Sequence, residues 1–266
     1  MLLEFKAKNY KSFKEELVFS LVPAPKQKGL DYSILEEKIG RKTYKGLSTA
    51  VIYGANAAGK TNIIGAMDSF KSIVLRGNIR NDKDKKTPNI AAGALELIPN
   101  NTLTEIKPVS FYIKFIEQEL LIEYSFSLDL GNFLDVNYKR KIIEESLKIN
   151  DKMLFSREKE LELGNLNIIT DYLVNDFNDG VTVVAKNNLN EEELFLMNGF
   201  KTMFSTKIVS LISEWLSNKF MVIYRADSMQ LIHKFEEPKK ESIYIEKHIS
   251  EVAKLFGINS NDLGYV

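Results

Sequence analysis

The chain has 266 residues, 44% of them hydrophobic, enough for one large domain or two small ones. Lys plus Arg and Asp plus Glu both number 36, so no global basic field points to nucleic acid. The absence of cysteine excludes disulfides, thiolate chemistry and cysteine-ligated zinc or iron–sulfur centres. No apolar run approaches the roughly 18 residues of a membrane helix, and the N-terminus lacks a signal-peptide core, so a soluble cytoplasmic protein is expected, with no membrane partner. His233 and His248 stand in no H-x-x-x-H or H-E-x-x-H setting and read as ordinary residues rather than metal ligands.

In chain order, the first 22 residues read as two strands. Leu3, Phe5 and Ala7 alternate with charged residues, and Leu17, Phe19 and Leu21 alternate again before Pro23 and Pro25. Between them, Asn9-Tyr10-Lys11-Ser12-Phe13 is turn-like. Residues 26–46 are polar, carry Gly29, Gly40 and Gly46, and suggest a loop or short hairpin.

Next comes Gly54-Ala55-Asn56-Ala57-Ala58-Gly59-Lys60-Thr61, a full match to the phosphate-binding pattern G-x-x-x-x-G-K-[ST], followed by Asn62. The apolar run Ala50-Val51-Ile52-Tyr53 before it suits a buried parallel strand. Ile63, Ile64, Met67, Phe70 and Val74 after it recur at helical spacing. Glycine at 54 and 59 allows backbone angles and close approach that a side chain blocks. The backbone N–H groups then form an anion nest at the positive end of a helix. In this pattern Lys60 reaches the β- and γ-phosphates of ATP, and the Thr61 hydroxyl ligates Mg²⁺. No N-K-x-D guanine motif is present.

Residues 77–88 are charged and read as a solvated loop. From about residue 105 to 157 the period changes to two. Val109 to Phe115, Leu120 to Leu128, Phe133 to Tyr138, Lys141 to Ile149 and Met153 to Phe155 read as an antiparallel meander, with turns at Gly131-Asn132 and Asn150-Asp151. Its aromatics are read as packing rather than a base-stacking platform. Further on, Asn190 and Glu193 suggest a capping box, and Ile208, Leu211, Ile212, Trp215 and Leu216 form an apolar helical stripe. Phe220 to Tyr224 reads as a buried strand, and Ile245, Ile249, Val252, Leu255 and Phe256 as a last helix.

These residues resemble an ABC-type AAA ATPase of the group related to RecF and SMC heads, nearest to the RloA-like and AbiL-like proteins of phage defence. The resemblance rests on Leu2-Leu3-Glu4-Phe5 leading into Asn9 to Phe13, and on Gly54 to Asn62, with Asn56 and Asn62 typical of this branch. Weaker likenesses are Glu144-Glu145-Ser146-Leu147, the Trp215 segment and Asp262-Leu263-Gly264. It implies a mixed α/β fold, the N-terminal lobe of a P-loop head with an antiparallel meander over residues 1–160 and a mainly helical continuation over 161–266. It also implies ATP and Mg²⁺ as cofactors and Lys11 near the nucleotide. Homodimers or higher oligomers would form through the heads, as two of them sandwich two ATPs.

The likeness stops short of a full head. No apolar run is followed by Asp-Glu; Phe220 to Tyr224 leads only into Arg225-Ala226-Asp227. No signature motif or switch histidine is found, and Gln118 lies within the meander, so no catalytic residue is identified. The expected function is the ATP-binding half of an antiviral ATPase, with ATP as a conformational switch. Two alternatives stand beside it: a non-hydrolysing nucleotide sensor that holds an effector nuclease or toxin, and a RecF-like repair ATPase touching DNA through Lys83, Lys85 and Lys86 or Lys139, Arg140 and Lys141.

Overall fold

Hairpins organise the chain, and the backbone turns left-handed where strands reverse, at Asn150-Asp151, which tolerate it, and at Gln118-Glu119, which rarely adopt it. The computed structural model describes residues 1–25, 29, 31–56, 58–80, 97–100, 102, 105, 107–131, 138–174 and 179–223. Among them, seven strands form one sheet in the order β2-β1-β5-β6-β7-β8-β9. These are β1 (Leu2–Lys8), β2 (Leu17–Ser20), β5 (Val109–Glu117), β6 (Leu120–Asp129), β7 (Lys141–Ile149), β8 (Lys152–Arg157) and β9 (Leu161–Leu163). Every neighbouring pair is antiparallel. Gln118 and Glu119 (φ 47° and 60°) join β5 to β6, and Asn150 and Asp151 (φ 51° and 64°) join β7 to β8. Both are two-residue turns of the hand that matches strand twist. Asn150 adds two bonds to the neighbouring hairpin, its N–H donating to Leu121 O and its Oδ1 accepting from Leu121 N.

A separate hairpin, β3 (Ile34–Ile39) and β4 (Lys42–Leu47), occupies the stretch expected to be a loop or hairpin. Ile39 and Tyr44 pack against Leu3, Ile116 and Leu121 in a small apolar cluster apart from the main core. The main core lies between the sheet and the helices. Its first helix, α1 (Lys60–Arg76), buries Ile63, Phe70 and Val74 of the predicted stripe together with Ala66 and Ile73, while Ile64 and Met67 are partly buried. Gly77 ends it in a left-handed conformation, its N–H donating to Ile73 O and Val74 O. Phe70 is fully buried and its ring meets those of Phe5, Phe111, Tyr124 and Phe126. The meander's aromatics are therefore packing groups, as read.

Among the described residues three further α-helical segments follow: α2 (Asp179–Asn187), the single-turn α3 (Lys201–Met203) and α4 (Thr206–Glu214). The Ser205 side chain caps α4 by accepting from Ile208 N, and a wide helical turn over Trp215–Lys219 continues it. Trp215 stacks on Phe115 with centroids 3.9 Å apart. The apolar stripe from Ile208 to Leu216 is buried, as expected of a core-facing helix. The fold is thus mixed α/β, with a large antiparallel sheet and several helices.

Three expectations are corrected. Ala50–Tyr53 is neither a strand nor buried: Val51 is 79% and Tyr53 91% exposed. A buried parallel strand needs neighbours on both sides, and no described strand lies alongside. Asn190 caps no helix. Its Oδ1 accepts from Glu192 N in a local turn, while the Glu193 carboxylate pairs with Arg80 and Ile79 N donates to Glu192 O. Residues 220–223 form no strand; Phe220 is buried, but Met221 and Ile223 are 64% and 50% exposed. The expected strand over 133–138 falls on residues outside the described set except Tyr138, which is not in a strand. Tyr224, the helix over 245–256, the segment Asp262–Gly264, and His233 and His248 also lie outside it.

Candidate nucleotide-binding site

The site is the junction between an exposed segment and the first turn of a long helix. Gly59 sits at that junction with φ 87° and ψ 7°, as the N-cap of α1. This left-handed conformation favours glycine on backbone grounds alone. Space makes the same demand, since a Cβ there would lie 2.8 Å from Ser12 Oγ and 3.3 Å from Phe13 Cε1. No side chain caps the helix and no acidic residue stands in its first turn. The positive end of the helix dipole is thus left for an external anion.

Lys60 is the first residue of α1, and its side chain folds back over the loop. Its ammonium donates to Gly54 O at 2.8 Å and Ala55 O at 2.7 Å. Ala58 N donates to Ala55 O at 3.2 Å, which makes the loop a tight turn. Thr61 follows in the first helical turn and is exposed. Asn62 N donates to Gly59 O at 2.9 Å, and its side-chain amide donates to Ser12 Oγ at 2.7 Å. Of the predicted residues, Gly54, Ala55 and Asn56 precede the helix, Ala58 and Gly59 lead into it, and Lys60, Thr61 and Asn62 form its first turn; Ala57 lies outside the described residues.

The donor set fits the phosphate chain of a nucleotide. It combines an uncapped helix N-terminus, a glycine whose Cβ position is closed to a side chain, and one ammonium already turned onto the loop. Thr61 supplies a hard hydroxyl oxygen suited to Mg²⁺, which usually takes its remaining ligands from water, carboxylates and phosphate.

Lys11 lies in the turn that packs on this loop. It has φ 48°, its backbone N–H donates to Ile98 O at 2.9 Å, and its ammonium sits 5.4 Å from the centre of the Tyr10 ring. Its neighbour Ser12 accepts a hydrogen bond from Asn62 at the helix start. In the sequence, Ser12 stands out only as part of the Asn9–Phe13 turn. Its role shows only in the fold, where the left-handed Lys11 turns Ser12 toward the Asn62 side chain.

Other candidates are placed elsewhere. Lys139 and Lys141 both pair with Glu191, at 3.7 and 3.1 Å, and burial holds the Arg140 guanidinium below its usual pKa. Lys83, Lys85 and Lys86 lie outside the described residues. Gln118 sits in the β5–β6 turn. Among the described residues, no group of three or more His, Cys, Asp or Glu is placed to hold a metal ion, and no helix is long and apolar enough to cross a membrane.

Beside the loop, Leu2, Ile52, Ile63, Met67, Trp215 and Phe220 line an apolar groove of about 510 Å³. The exposed segment over residues 50–53 runs along it through Ile52.

Residues 50–174 match the family model described as "AAA domain, putative AbiEii toxin, Type IV TA system". That span covers the phosphate loop, α1 and the meander, and it supports a P-loop AAA ATPase family and nucleotide binding. No curated protein and no solved structure matches the chain.

Proposed function

We propose that this chain is the ATP-binding half of an ABC-type ATPase head, part of a bacterial anti-phage system in which ATP acts as a conformational and dimerisation switch. The observation that carries this reading is the start of α1, where a left-handed Gly59, an uncapped helix end and the loop-facing ammonium of Lys60 converge. These groups suit a triphosphate with Mg²⁺ on Thr61. The toxin–antitoxin wording of the matched family supports the defence context.

The exposed apolar segment Ala50–Tyr53 supports the reading that a second lobe completes this one. A run of this composition ordinarily sits inside a sheet, and here it borders an apolar groove. A complementary lobe, from further sequence or another chain, would cover both and bring the base and γ-phosphate clamp that hydrolysis requires. ATP binding then favours the closed, paired state by its differential affinity for it. Two heads would associate across the nucleotide, as in the RecF- and SMC-related proteins the sequence resembles.

The test is calorimetric titration of the purified chain with Mg-ATP, alongside Lys60→Ala and a turnover assay. The reading expects binding in the natural chain, its loss in Lys60→Ala and negligible turnover. Robust hydrolysis by this chain alone would overturn the half-head, and absence of binding would overturn the nucleotide site.

A second reading is favoured by the family description, which names a toxin. The chain would be a nucleotide-sensing scaffold holding an effector nuclease or toxin, with occupancy rather than turnover as the signal. It predicts a stoichiometric partner whose release follows ATP binding.

A further inference from the structure

We infer that Ser12 is a positioning residue of the nucleotide site, a strap through which the β1–β2 turn sets the shape of the phosphate loop. The inference rests on the reading of Gly54–Asn62 as a nucleotide site, but its mechanical part stands on contacts alone.

The turn is built to hold one shape. Asn9 and Lys11 both adopt positive φ, 53° and 48°, which a chain keeps only when its surroundings hold it there. Those surroundings are visible. Lys11 N donates to Ile98 O at 2.9 Å, Asn100 N donates to Asn9 O at 3.0 Å, and the Asn100 side chain donates to Lys11 O at 2.7 Å. Asn9 is buried, and its amide donates to Lys107 O. Tyr10 is fully buried against Phe111, and its hydroxyl lies 3.1 Å from Ser69 Oγ on the inner face of α1. The turn is therefore anchored to both the sheet and the helix before it reaches the loop.

Ser12 carries that rigidity to the nucleotide loop. Its Oγ accepts from the Asn62 side chain at 2.7 Å and stands where a Cβ of residue 59 would clash at 2.8 Å. Asn62 N in turn donates to Gly59 O. One hydroxyl thus bonds Asn62 and fills the space that a side chain at residue 59 would need, at either end of the stretch that supplies the ammonium and the first helical N–H groups. Because Ser12 Oγ accepts from Asn62, its own proton remains available to donate. The strap fixes the direction in which those N–H groups point, and preorganised donors bind an anion without first paying an ordering cost.

The experiment compares the natural chain, Ser12→Ala, Asn62→Ala and the double variant by Mg-ATP affinity, with amide hydrogen exchange of residues 60–63 in the nucleotide-free proteins. Ser12 is exposed, so its truncation leaves the core intact; Asn62→Ala cuts the same bond from the helix side. Each single change is expected to weaken ATP binding about five- to tenfold, the range of one lost hydrogen bond, and the double change no further than the worse single one. Exchange at residues 60–63 is expected to accelerate in Ser12→Ala. An unchanged ATP affinity in Ser12→Ala, or additive losses in the double variant, overturns the inference. If the natural chain binds no ATP, the nucleotide reading fails by itself. Exchange then decides the strap: acceleration upholds the mechanical link and unchanged rates overturn it.

Discussion

The ammonium of Lys60 lies 2.8 Å from the carbonyl oxygen of Gly54, six residues back along the chain, so the loop closes on its own lysine. A carbonyl is a neutral acceptor and a phosphate a charged one. Charge-assisted hydrogen bonds are about twice as strong as neutral ones, so a nucleotide can draw the ammonium away from Gly54 and Ala55. Lys60→Ala is expected to lower ATP affinity about a hundredfold or more, through loss of charged contacts to two phosphates. Thermal unfolding should move little, because the lysine bonds only to the loop. Calorimetry and a melting curve on the same sample check both.

Gly59→Ala tests the backbone at the helix start. A left-handed alanine costs about 1–2 kcal/mol, and its Cβ would press on Ser12 Oγ at 2.8 Å. Chemical denaturation should show a loss of that order or larger, together with weaker ATP binding. An unchanged midpoint would mean that the loop finds another shape.

The exposed segment over residues 50–53 gives a prediction of opposite character. Val51 and Tyr53 contribute almost nothing to the core of this chain, so a Val51→Ser/Tyr53→Ser double variant should keep its stability within about 0.5 kcal/mol. If these side chains are the seat of a complementary lobe, the same variant should lose association with that lobe. Co-purification of the lobe with natural and variant chains reads the difference.

Glu145 is the buried centre of the second half of the fold. Its carboxylate accepts from Phe195 N at 2.7 Å, Leu196 N at 2.8 Å and Tyr124 OH at 2.9 Å, and lies 3.6 Å from Arg157. Arg157 also donates to Glu193 O and Asn190 O, so the pair pins residues 190–196 to the sheet. Glu145→Ala leaves Arg157 buried without its counter-charge and should cost about 3–5 kcal/mol by denaturant titration.

Burial raises the Glu145 pKa despite its donors and Arg157, so the folded chain holds this proton more tightly than the unfolded one. The contribution is therefore full below the ordinary glutamate range and declines as pH rises through the folded-state value. Glu145→Gln, which cannot ionise, should flatten that part of the stability–pH curve, measured by melting temperature from acidic to neutral pH.

Much of the fold was legible because its signals are local. Alternation in Val109–Phe115 and Leu120–Leu128 marked strands, Asn150-Asp151 marked a turn, and the spacing from Ile63 to Val74 marked the buried face of α1. The short β9 and the helix α2 were missed. A three-residue strand is too brief to show a period, and in the nine residues of α2 the valines Val183 and Val184 face outward, which blurs the apolar spacing. Asn190 and Glu193 fit a capping pattern but serve a turn and an ion pair with Arg80, because Arg80 and Ile79 arrive there from far away in sequence.

By itself, the sequence determined where the Gly54–Thr61 loop ends and the helix after it begins. An α-helix makes its hydrogen bonds within one segment, and a Gly-x-x-x-x-Gly-Lys-Thr loop carries its donors in its own backbone. Only the tertiary structure decided that Ser12 straps this loop, that Lys60 rests on Gly54, and that Ala50–Tyr53 is exposed rather than a strand. A strand is a relation between segments. Its hydrogen bonds belong to neighbours that an apolar run of four residues can favour but cannot provide.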